Sequence, residues 1–366
     1  MSERLTVAIL GASGFIGGRL TESLFLNDLA EVRPIVRSFR GLSRLSRFEL
    51  DCRIADATDQ AALAPNLQGC EVVFHCVVGG HDTIMKSLEA TYRAAAAAGV
   101  RRLVYLSSAV VHGHNPAPGT TDDSELVSAQ DFEYNVSKVQ AEHRLKELSR
   151  DGAVETVVLR PCIVFGPRSQ WWTAQIATQL LLKSAYLVEG GSGICNTIYI
   201  DNLVTAMWLA ATTPAAAGQA FLLTDGERVT WKDFYASVAD AVNSDPAGIV
   251  SVPLDDMREL QRSALRRKRL GKIKQSSVSR LAIGMMSEKA KHVARAVLSN
   301  PPPPPGTPAP VANGPTVDPE IASLQWCESV LPIAKATTML GYHPRIGFAE
   351  ASTRTAAWLR FALGVP

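Results

Sequence analysis

The sequence predicts an α/β protein with a doubly wound parallel sheet and a smaller C-terminal lobe. Three observations point to this fold class. Short apolar runs alternate with helical patterns up to about residue 160, a glycine-rich turn follows the first run, and the alternation becomes irregular from about residue 161. Strands separated by helices are joined by right-handed crossovers, which gives a parallel sheet with helices on both faces.

The predicted strands are rich in Val, Ile and Leu, as expected of strands that are buried on both faces. The first six lie at 6–10, 32–36, 52–55, 72–77, 103–106 and 156–159. Helices are predicted over the alanine-rich segment 84–98, which ends at Gly99, and over 130–150. The later elements are helices at 171–183, 201–211, 231–242 and 348–361 and strands at 196–200 and 220–223.

The turn after the first strand carries three glycines in the spacing G-x-x-G-x-x-G. Gly11 suits the tight turn, Gly14 lets the main chain approach a pyrophosphate, and Gly17 lets the following helix pack on the strand. The N–H groups at the helix start then face the phosphates. The turn therefore predicts a Rossmann-type dinucleotide site, although glycine-rich turns also occur as plain structural turns. The predicted contacts are Gly11, Ser13, Gly14, Phe15, Ile16 and Gly17.

The residue after the second strand reports on the adenosine ribose. An acid there would favour NAD. This chain instead has Arg37, followed by Ser38 and Arg40. A guanidinium can pair with a 2′-phosphate, so NADP is the expected cofactor and NAD the alternative. The other interpretation is that both arginines are solvated surface charges.

Tyr134 and Lys138 are four residues apart, so they occupy one face of the predicted helix. An ammonium near a phenol favours the phenolate, and the tyrosine can then exchange a proton with a substrate hydroxyl. Ser107 and Ser108 end the strand LVYLSS, where a hydroxyl can hydrogen-bond the substrate oxygen. Alone, the tyrosine and lysine are weak evidence, and the serines by themselves are better explained as two small residues that end a strand.

The composition, with 46% hydrophobic and 20% charged residues, indicates a globular protein. The chain has no apolar run of membrane-spanning length and no signal-peptide pattern, so we expect a cytoplasmic location. The cysteines lack C-x-x-C spacing, which argues against a zinc site and a disulfide framework, and no metal is expected. They are Cys52, Cys70, Cys76, Cys162, Cys195 and Cys327.

Several ordered motifs resemble the extended short-chain dehydrogenase/reductases, the NAD(P)-dependent epimerase/dehydratase group. They are GASGFIGG at 11–18, ADATD at 55–59, VFHCVV at 73–78, LVYLSSAVVHG at 103–113, YNVSK at 134–138, LRPCIVFGP at 159–167 and NTIYIDNLVTAM at 196–207. The resemblance covers roughly residues 4–250 and the segment LGYHPRIGF with its helix. It implies a dinucleotide-binding domain over 1–165 and a substrate-binding lobe over 166–254 and 319–366, with some strands returning to the main sheet.

The resemblance also implies roles for individual residues. Tyr134 would be the general acid/base, Lys138 would hold the nicotinamide ribose and lower the tyrosine pKa, and Ser108 would orient the substrate oxygen. Asp201 would be mainly structural. The further expected cofactor contacts are Asp56 and Ala57 near the adenine, Val77 and Val78 along the dinucleotide, and Pro161, Ile163 and Val164 near the nicotinamide amide. A homodimer is an expectation of the resemblance alone.

Departures from the family pattern narrow the reaction. Ala109 and Val110 stand where the sugar dehydratases carry acids, so dehydration is not expected. With Arg37 favouring an exchangeable NADP, the leading hypothesis is a reductase or dehydrogenase acting on the carbonyl/alcohol pair of a small-molecule substrate. The alternatives are an NAD-dependent nucleotide-sugar epimerase with the same Ser/Tyr/Lys set and a cofactor-bound regulatory or scaffold protein. The complete set argues against the latter.

Residues 255–318 form a basic and proline-rich insertion outside the resemblance. The net charge is +2, yet 258–295 holds twelve Lys or Arg against two acids, so this stretch carries +10 and the remainder −8. A basic amphipathic helix within 258–298 would suit peripheral contact with an anionic membrane or a partner, but it could equally contact a substrate diphosphate or stay solvated. Nucleic-acid binding is not expected, because no aromatic residues are interleaved. The cationic block comprises Arg266, Arg267, Lys268, Arg269, Lys272 and Lys274.

Overall fold

The computed structural model describes residues 4–259, 262 and 317–364. The cationic block and the proline-rich stretch of the predicted insertion lie outside these residues. The strands, numbered in chain order, are β1 (Thr6–Leu10), β2 (Glu31–Val36), β3 (Arg53–Ile54), β4 (Val72–His75), β5 (Arg102–Leu106), β6 (Glu155–Pro161), β7 (Ile163–Phe165), β8 (Tyr186–Val188), β9 (Thr197–Tyr199), β10 (Ala220–Leu223) and β11 (Val250–Val252).

The helices predicted over 84–98, 130–150, 201–211, 231–242 and 348–361 fall close to observed helices. The observed helices are α1 (Phe15–Leu26), α2 (Gln60–Leu67), α3 (His81–Ala97), α4 (Glu133–Leu148), α5 (Gln175–Leu181), α6 (Ile200–Thr212), α7 (Trp231–Ala241), α8 (Pro319–Leu324), α9 (Ala334–Leu340) and α10 (Phe348–Leu363). One prediction fails, because the helix expected over 171–183 is broken into a π-helical turn, Gln170–Ala174, and the shorter α5. A glutamine and two bulky tryptophans precede the regular helix there.

Seven parallel strands form the main sheet in the order β10-β6-β5-β4-β1-β2-β3. The fold class predicted from the sequence is confirmed. Starting from β1, the strands β2 and β3 follow on one side of it in the sheet, whereas β4, β5 and β6 follow on the other side. The direction of strand order therefore reverses between β1 and β4. Ligands bind outside the carboxyl ends of the strands at such a switch point. Leu10, the last residue of β1, pairs with Ile35 of β2 and His75 of β4.

The chain divides into two compact units. The first comprises 1–170, 196–228 and 328–351 and contains the main sheet and the parallel pair β7 and β9. The edge strand β10 belongs to it; its residues lie in the segment predicted for the lobe, from which some strands were expected to return to the main sheet. The described residues of the second unit are 171–195, 229–259, 262, 317–327 and 352–364, and they include the parallel pair β8 and β11. Within the second unit, the Trp231 indole donates to the Leu324 carbonyl and anchors α7.

Candidate active site

The glycine turn lies at the switch point, between the carboxyl ends of β1 and β4. Gly11 has a φ of +78°, and a Cβ on it would lie 2.7 Å from the Cys76 carbonyl oxygen. A Cβ on Gly17 would collide with the Gly11 carbonyl oxygen. These two glycines therefore allow β1, β4 and α1 to approach one another, as the sequence predicts.

Gly14 leaves the N-terminus of α1 open. It is exposed and extended, and in the described part of the chain no side chain caps this helix and no acid occupies its first turn. Ser13 is exposed, and Phe15 and Ile16 are half-buried. The positive end of a twelve-residue helix with uncapped N–H groups is suited to an anion. These residues therefore fit the phosphates of a dinucleotide.

The segment after β2 lies against the glycine turn. A Cβ on Gly41, within the short 3-10 helix Phe39–Arg44, would lie 3.1 Å from the Cβ of Ser13. Arg37 and Arg40 flank this approach and are both exposed. Their guanidinium groups are thus carried by a segment that packs against the predicted phosphate site.

Asp56, predicted to lie beside the adenine, forms a local turn after β3. Its carboxylate accepts hydrogen bonds from the backbone N–H of Thr58 at 2.9 Å and from the Thr58 hydroxyl at 2.8 Å. These bonds hold the pKa of Asp56 below its usual range, and the charge of Arg37 acts in the same direction. Asp56 is exposed and the neighbouring Ala57 is half-buried, so both stand near the surface at the edge of the sheet.

The apolar residues predicted to line the dinucleotide differ in exposure. Val77 is half-buried, and Val78, just after β4, is 70% exposed. Pro161, Ile163 and Val164 are all buried. Their side chains belong to the protein interior, so any contact with the nicotinamide amide would come from their backbone.

The predicted catalytic pair lies at the start of α4. Tyr134 is half-buried in the first turn, and Lys138 follows one turn later with only 2% of its surface exposed. The ammonium of Lys138 donates a 2.7 Å hydrogen bond to the Leu106 carbonyl. It lies 5.7 Å from the centre of the Tyr134 ring and 5.0 Å from that of Tyr105. The four-residue spacing therefore places the two side chains together, anchored to the end of β5.

Burial changes the ionisation of this region. It lowers the pKa of Lys138 to about 8, although the carboxylate of Glu142 opposes the change. Burial, aided by the charge of Lys138, lowers the pKa of His75 to about 3, so this imidazole is neutral at physiological pH. The Nε2 of His75 contacts the Ser87 hydroxyl at 3.0 Å. The pKa of Lys138 therefore lies closer to neutrality than that of an exposed lysine.

The two serines after β5 have different surroundings. Ser108 is half-buried, and its hydroxyl accepts a long, 3.5 Å hydrogen bond from the Val110 N–H at the start of a one-turn helix, Ala109–His112. Ser107 is buried, and its hydroxyl donates a 2.5 Å hydrogen bond to Glu142. The strand pattern does not distinguish the two serines, and only the resemblance singles out Ser108; of the two, Ser108 alone retains partial access to the surface.

Sequence reasoning missed a buried ion pair beside these serines. Glu142 of α4 and Arg160 of β6 approach to 2.6 Å with 6% and 7% of their side chains exposed. The other terminal nitrogen of Arg160 donates to the Asp122 carbonyl at 2.6 Å and lies 3.2 Å from the His112 Nε2. One signal was available, because Glu142 continues the four-residue spacing of Tyr134 and Lys138.

Asp201, expected to be mainly structural, pairs with an arginine of another helix. Its carboxylate accepts a 2.6 Å hydrogen bond from Nε of Arg19, which joins α6 to α1. Among the described residues, no group of three or more His, Cys, Asp or Glu side chains is arranged to hold a metal ion. The six cysteines, all within the described ranges, are thiols and form no disulfide. No helix within the same ranges is long and apolar enough to cross a membrane.

An open helix N-terminus at the switch point and a Tyr/Lys pair anchored to the neighbouring strand define the nicotinamide-dependent class of this fold. The model of the NAD dependent epimerase/dehydratase family matches residues 7–223. The chain belongs to this family, and it is an NAD(P)-dependent enzyme of the oxidoreductase type.

The relatives include both epimerases and reductases. UDP-glucose 4-epimerase of Vibrio cholerae is 29% identical over 68% of this chain and 79% of its own. A 2-alkyl-3-oxoalkanoate reductase of Stenotrophomonas maltophilia is 30% identical over 66% of this chain and 76% of its own. The crystal structure of dTDP-glucose 4,6-dehydratase from Streptomyces venezuelae with NAD bound superposes with a TM-score of 0.70 at 17% identity, covering 98% of both chains. The family model ends at residue 223, whereas the structural likeness covers nearly the whole chain, so the fold is shared beyond that residue.

Proposed function

We propose that this protein is an NADP-dependent reductase or dehydrogenase that acts on a carbonyl/alcohol pair. The observation that carries the proposal is Arg37, an exposed guanidinium after β2, where an NAD-preferring site would have an acid. Arg40 provides a second exposed guanidinium, and it lies in the segment that packs against the glycine turn. Their charge favours a 2′-phosphate.

The chemistry needs few groups from the chain. A bound nicotinamide supplies or accepts the hydride. Tyr134 gives its phenolic proton to the substrate oxygen during reduction and takes it back during oxidation. Ser108 orients that oxygen with its hydroxyl, and the Lys138 ammonium stabilises the phenolate that remains after proton transfer.

Ala109 and Val110 support this choice over dehydration, because neither side chain can remove or deliver the proton that loss of water requires. Similarity to the 2-alkyl-3-oxoalkanoate reductase supports a net reduction. Similarity to the UDP-glucose 4-epimerase favours a second candidate, in which the same Ser/Tyr/Lys set oxidises and re-reduces a nucleotide sugar with a retained NAD.

The experiment identifies the nucleotide and its fate. Protein purified without added cofactor is denatured, and the released nucleotide is identified by mass spectrometry. NADP that is lost on dialysis, together with stoichiometric NADPH consumption on a panel of β-keto carbonyl compounds, is the expected result. Tightly held NAD that survives dialysis, with epimerisation of UDP-glucose and no net change in nicotinamide absorbance, would replace the proposal with the second candidate.

A further inference from the structure

The buried carboxylate of Glu142 joins three elements of the first unit. It lies on α4, one turn after Lys138, accepts a hydrogen bond from Ser107 at the end of β5, and pairs with Arg160 of β6. The Ser107 N–H also donates to the Leu159 carbonyl at 2.7 Å, which ties the same residue to β6 through the backbone. Hydrogen bonds therefore fix both the side chain and the backbone of Ser107.

We propose that Glu142, held by Arg160, is a positioning residue that sets the segment 106–108 against α4 and so aligns Ser108 with Tyr134 and Lys138. The proposal rests on the proposed function for the roles of those three residues. It concerns a group that touches neither substrate nor cofactor. Glu142 acts through Ser107 and Lys138.

The geometry of the segment 106–108 supports this role. Three consecutive residues carry three different contacts: the Leu106 carbonyl accepts from Lys138, the Ser107 hydroxyl donates to Glu142, and the Ser108 hydroxyl is the predicted substrate contact. A shift of the Ser107 anchor would move its two neighbours together. Displacements of about 1 Å can cost 10²-fold in rate.

The energetics favour a role beyond stability. Removing a glutamate and an arginine from water carries a large desolvation cost, and well-packed apolar residues would often stabilise the same site equally well. The ion pair instead fixes the orientation of the Glu142 carboxylate. Arg160 donates to both carboxylate oxygens of Glu142, at 3.0 and 2.6 Å, and so fixes the carboxylate that receives the Ser107 hydroxyl.

Glu142 also acts on the charge of Lys138. The groups facing that ammonium are Tyr134 and Glu142 from α4, Tyr105 from β5, and His75 and Cys76 at the end of β4. Burial favours the neutral amine, and Glu142 opposes it. Around Glu142 itself, Arg160 of β6 and Ser107 at the end of β5 are hydrogen-bonded to the carboxylate. Its charge also acts on Lys138, on Tyr105 of β5 and on His112 of the helix Ala109–His112.

The test compares Glu142→Gln with Glu147→Gln, a matched change on the same helix whose ion pair with Arg144 is exposed. The protein is labelled with ¹³C-lysine, and the Lys138 Cε resonance, assigned by its absence in Lys138→Met, is titrated. In Glu142→Gln the midpoint should fall by about one pH unit, since an opposite charge has been lost. The turnover number for reduction should fall about tenfold or more with the Kd for NADPH unchanged. Glu147→Gln should match the wild type in all three measurements.

An unchanged Lys138 midpoint together with unchanged turnover in folded Glu142→Gln would overturn the proposal. Because the titration needs no substrate, it separates this outcome from failure of the proposed function, in which the wild type itself would reduce no carbonyl. Should Glu142→Gln fail to fold, Ser107→Ala retains the ion pair. It should lower turnover about tenfold or more, as expected for losing a hydrogen bond to a charged group, whereas Ser149→Ala should not. Equal turnover of the two serine variants would then reject the proposal.

Discussion

The two ends of the predicted dinucleotide site are built in different ways. At the phosphate end, the backbone provides the surface: Gly11 and Gly17 create the close approach and Gly14 leaves the helix start open. At the reactive end, buried side chains provide the surface and its support, and Lys138, Glu142 and Arg160 are all almost inaccessible to solvent. The first end should therefore be sensitive to added volume, and the second to changes of charge and pH.

The largest effect should come from Gly11→Ala. The left-handed φ and the contact with the Cys76 carbonyl should together reduce the free energy of unfolding by about 2–5 kcal/mol, measured by urea denaturation. Gly69→Ala is the matched control, because Gly69 has a similar φ of +76° but no atom within 4 Å of the position that a Cβ would take. It should lose only about 1–2 kcal/mol. Equal losses would mean that backbone angle alone, and not close approach, explains Gly11.

Tyr134→Phe tests the reactive end without changing its volume. Turnover should fall by about 10²-fold or more, because the general acid is lost. Dinucleotide binding, measured by nicotinamide fluorescence, should stay close to that of the wild type. Tyr92→Phe is the control, because it removes a hydroxyl that donates a 2.6 Å hydrogen bond to Asp151. This variant should retain full turnover. Full turnover in Tyr134→Phe would reject the assignment of the proton donor.

Arg37→Glu asks whether a side chain contributes to the phosphate end as well. Loss of a charge-assisted hydrogen bond should weaken NADPH binding by about tenfold or more relative to NADH. Arg150→Glu makes the same charge change at an exposed position after α4 and should leave the NADPH to NADH ratio of Kd values unaltered. The same ratio in both variants would show that the Arg37 guanidinium does not meet the ribose phosphate.

The phosphate end and the fold were largely predictable from the sequence, and the support of the reactive end was not. Apolar periodicity fixes strands such as β10, whose bounds match the predicted 220–223, and glycine spacing fixes the first turn. These signals are local. Glu142 and Arg160 lie 18 residues apart, and single charged residues in a helix or strand are normally solvated, so only the packing of α4 on β6 shows that they are buried together.

The serines illustrate the same limit on a smaller scale. Ser107 and Ser108 are adjacent and chemically identical, and alternation along the strand predicts only that they point in opposite directions. Which of the two meets a buried carboxylate depends on the position of α4, whose contact residue is 35 positions away. Function could be assigned to Ser108 through family resemblance, but the role of Ser107 required coordinates.

The smallest expected effect is on the pH dependence of kcat/KM. It tests the reactive end alone, because it depends on the ionisation of Lys138. The ammonium form of Lys138 is the one that stabilises the phenolate of Tyr134, and the pKa of Lys138 lies at about 8. In the direction of carbonyl reduction, kcat/KM should therefore hold steady below about pH 7 and decline through about pH 8 as the proton is lost. Lys146→Met, which removes an exposed lysine of α4, should retain this alkaline limb. A decline that begins only near about pH 10, the usual range of a solvated lysine, would mean that the buried ammonium does not govern the reaction.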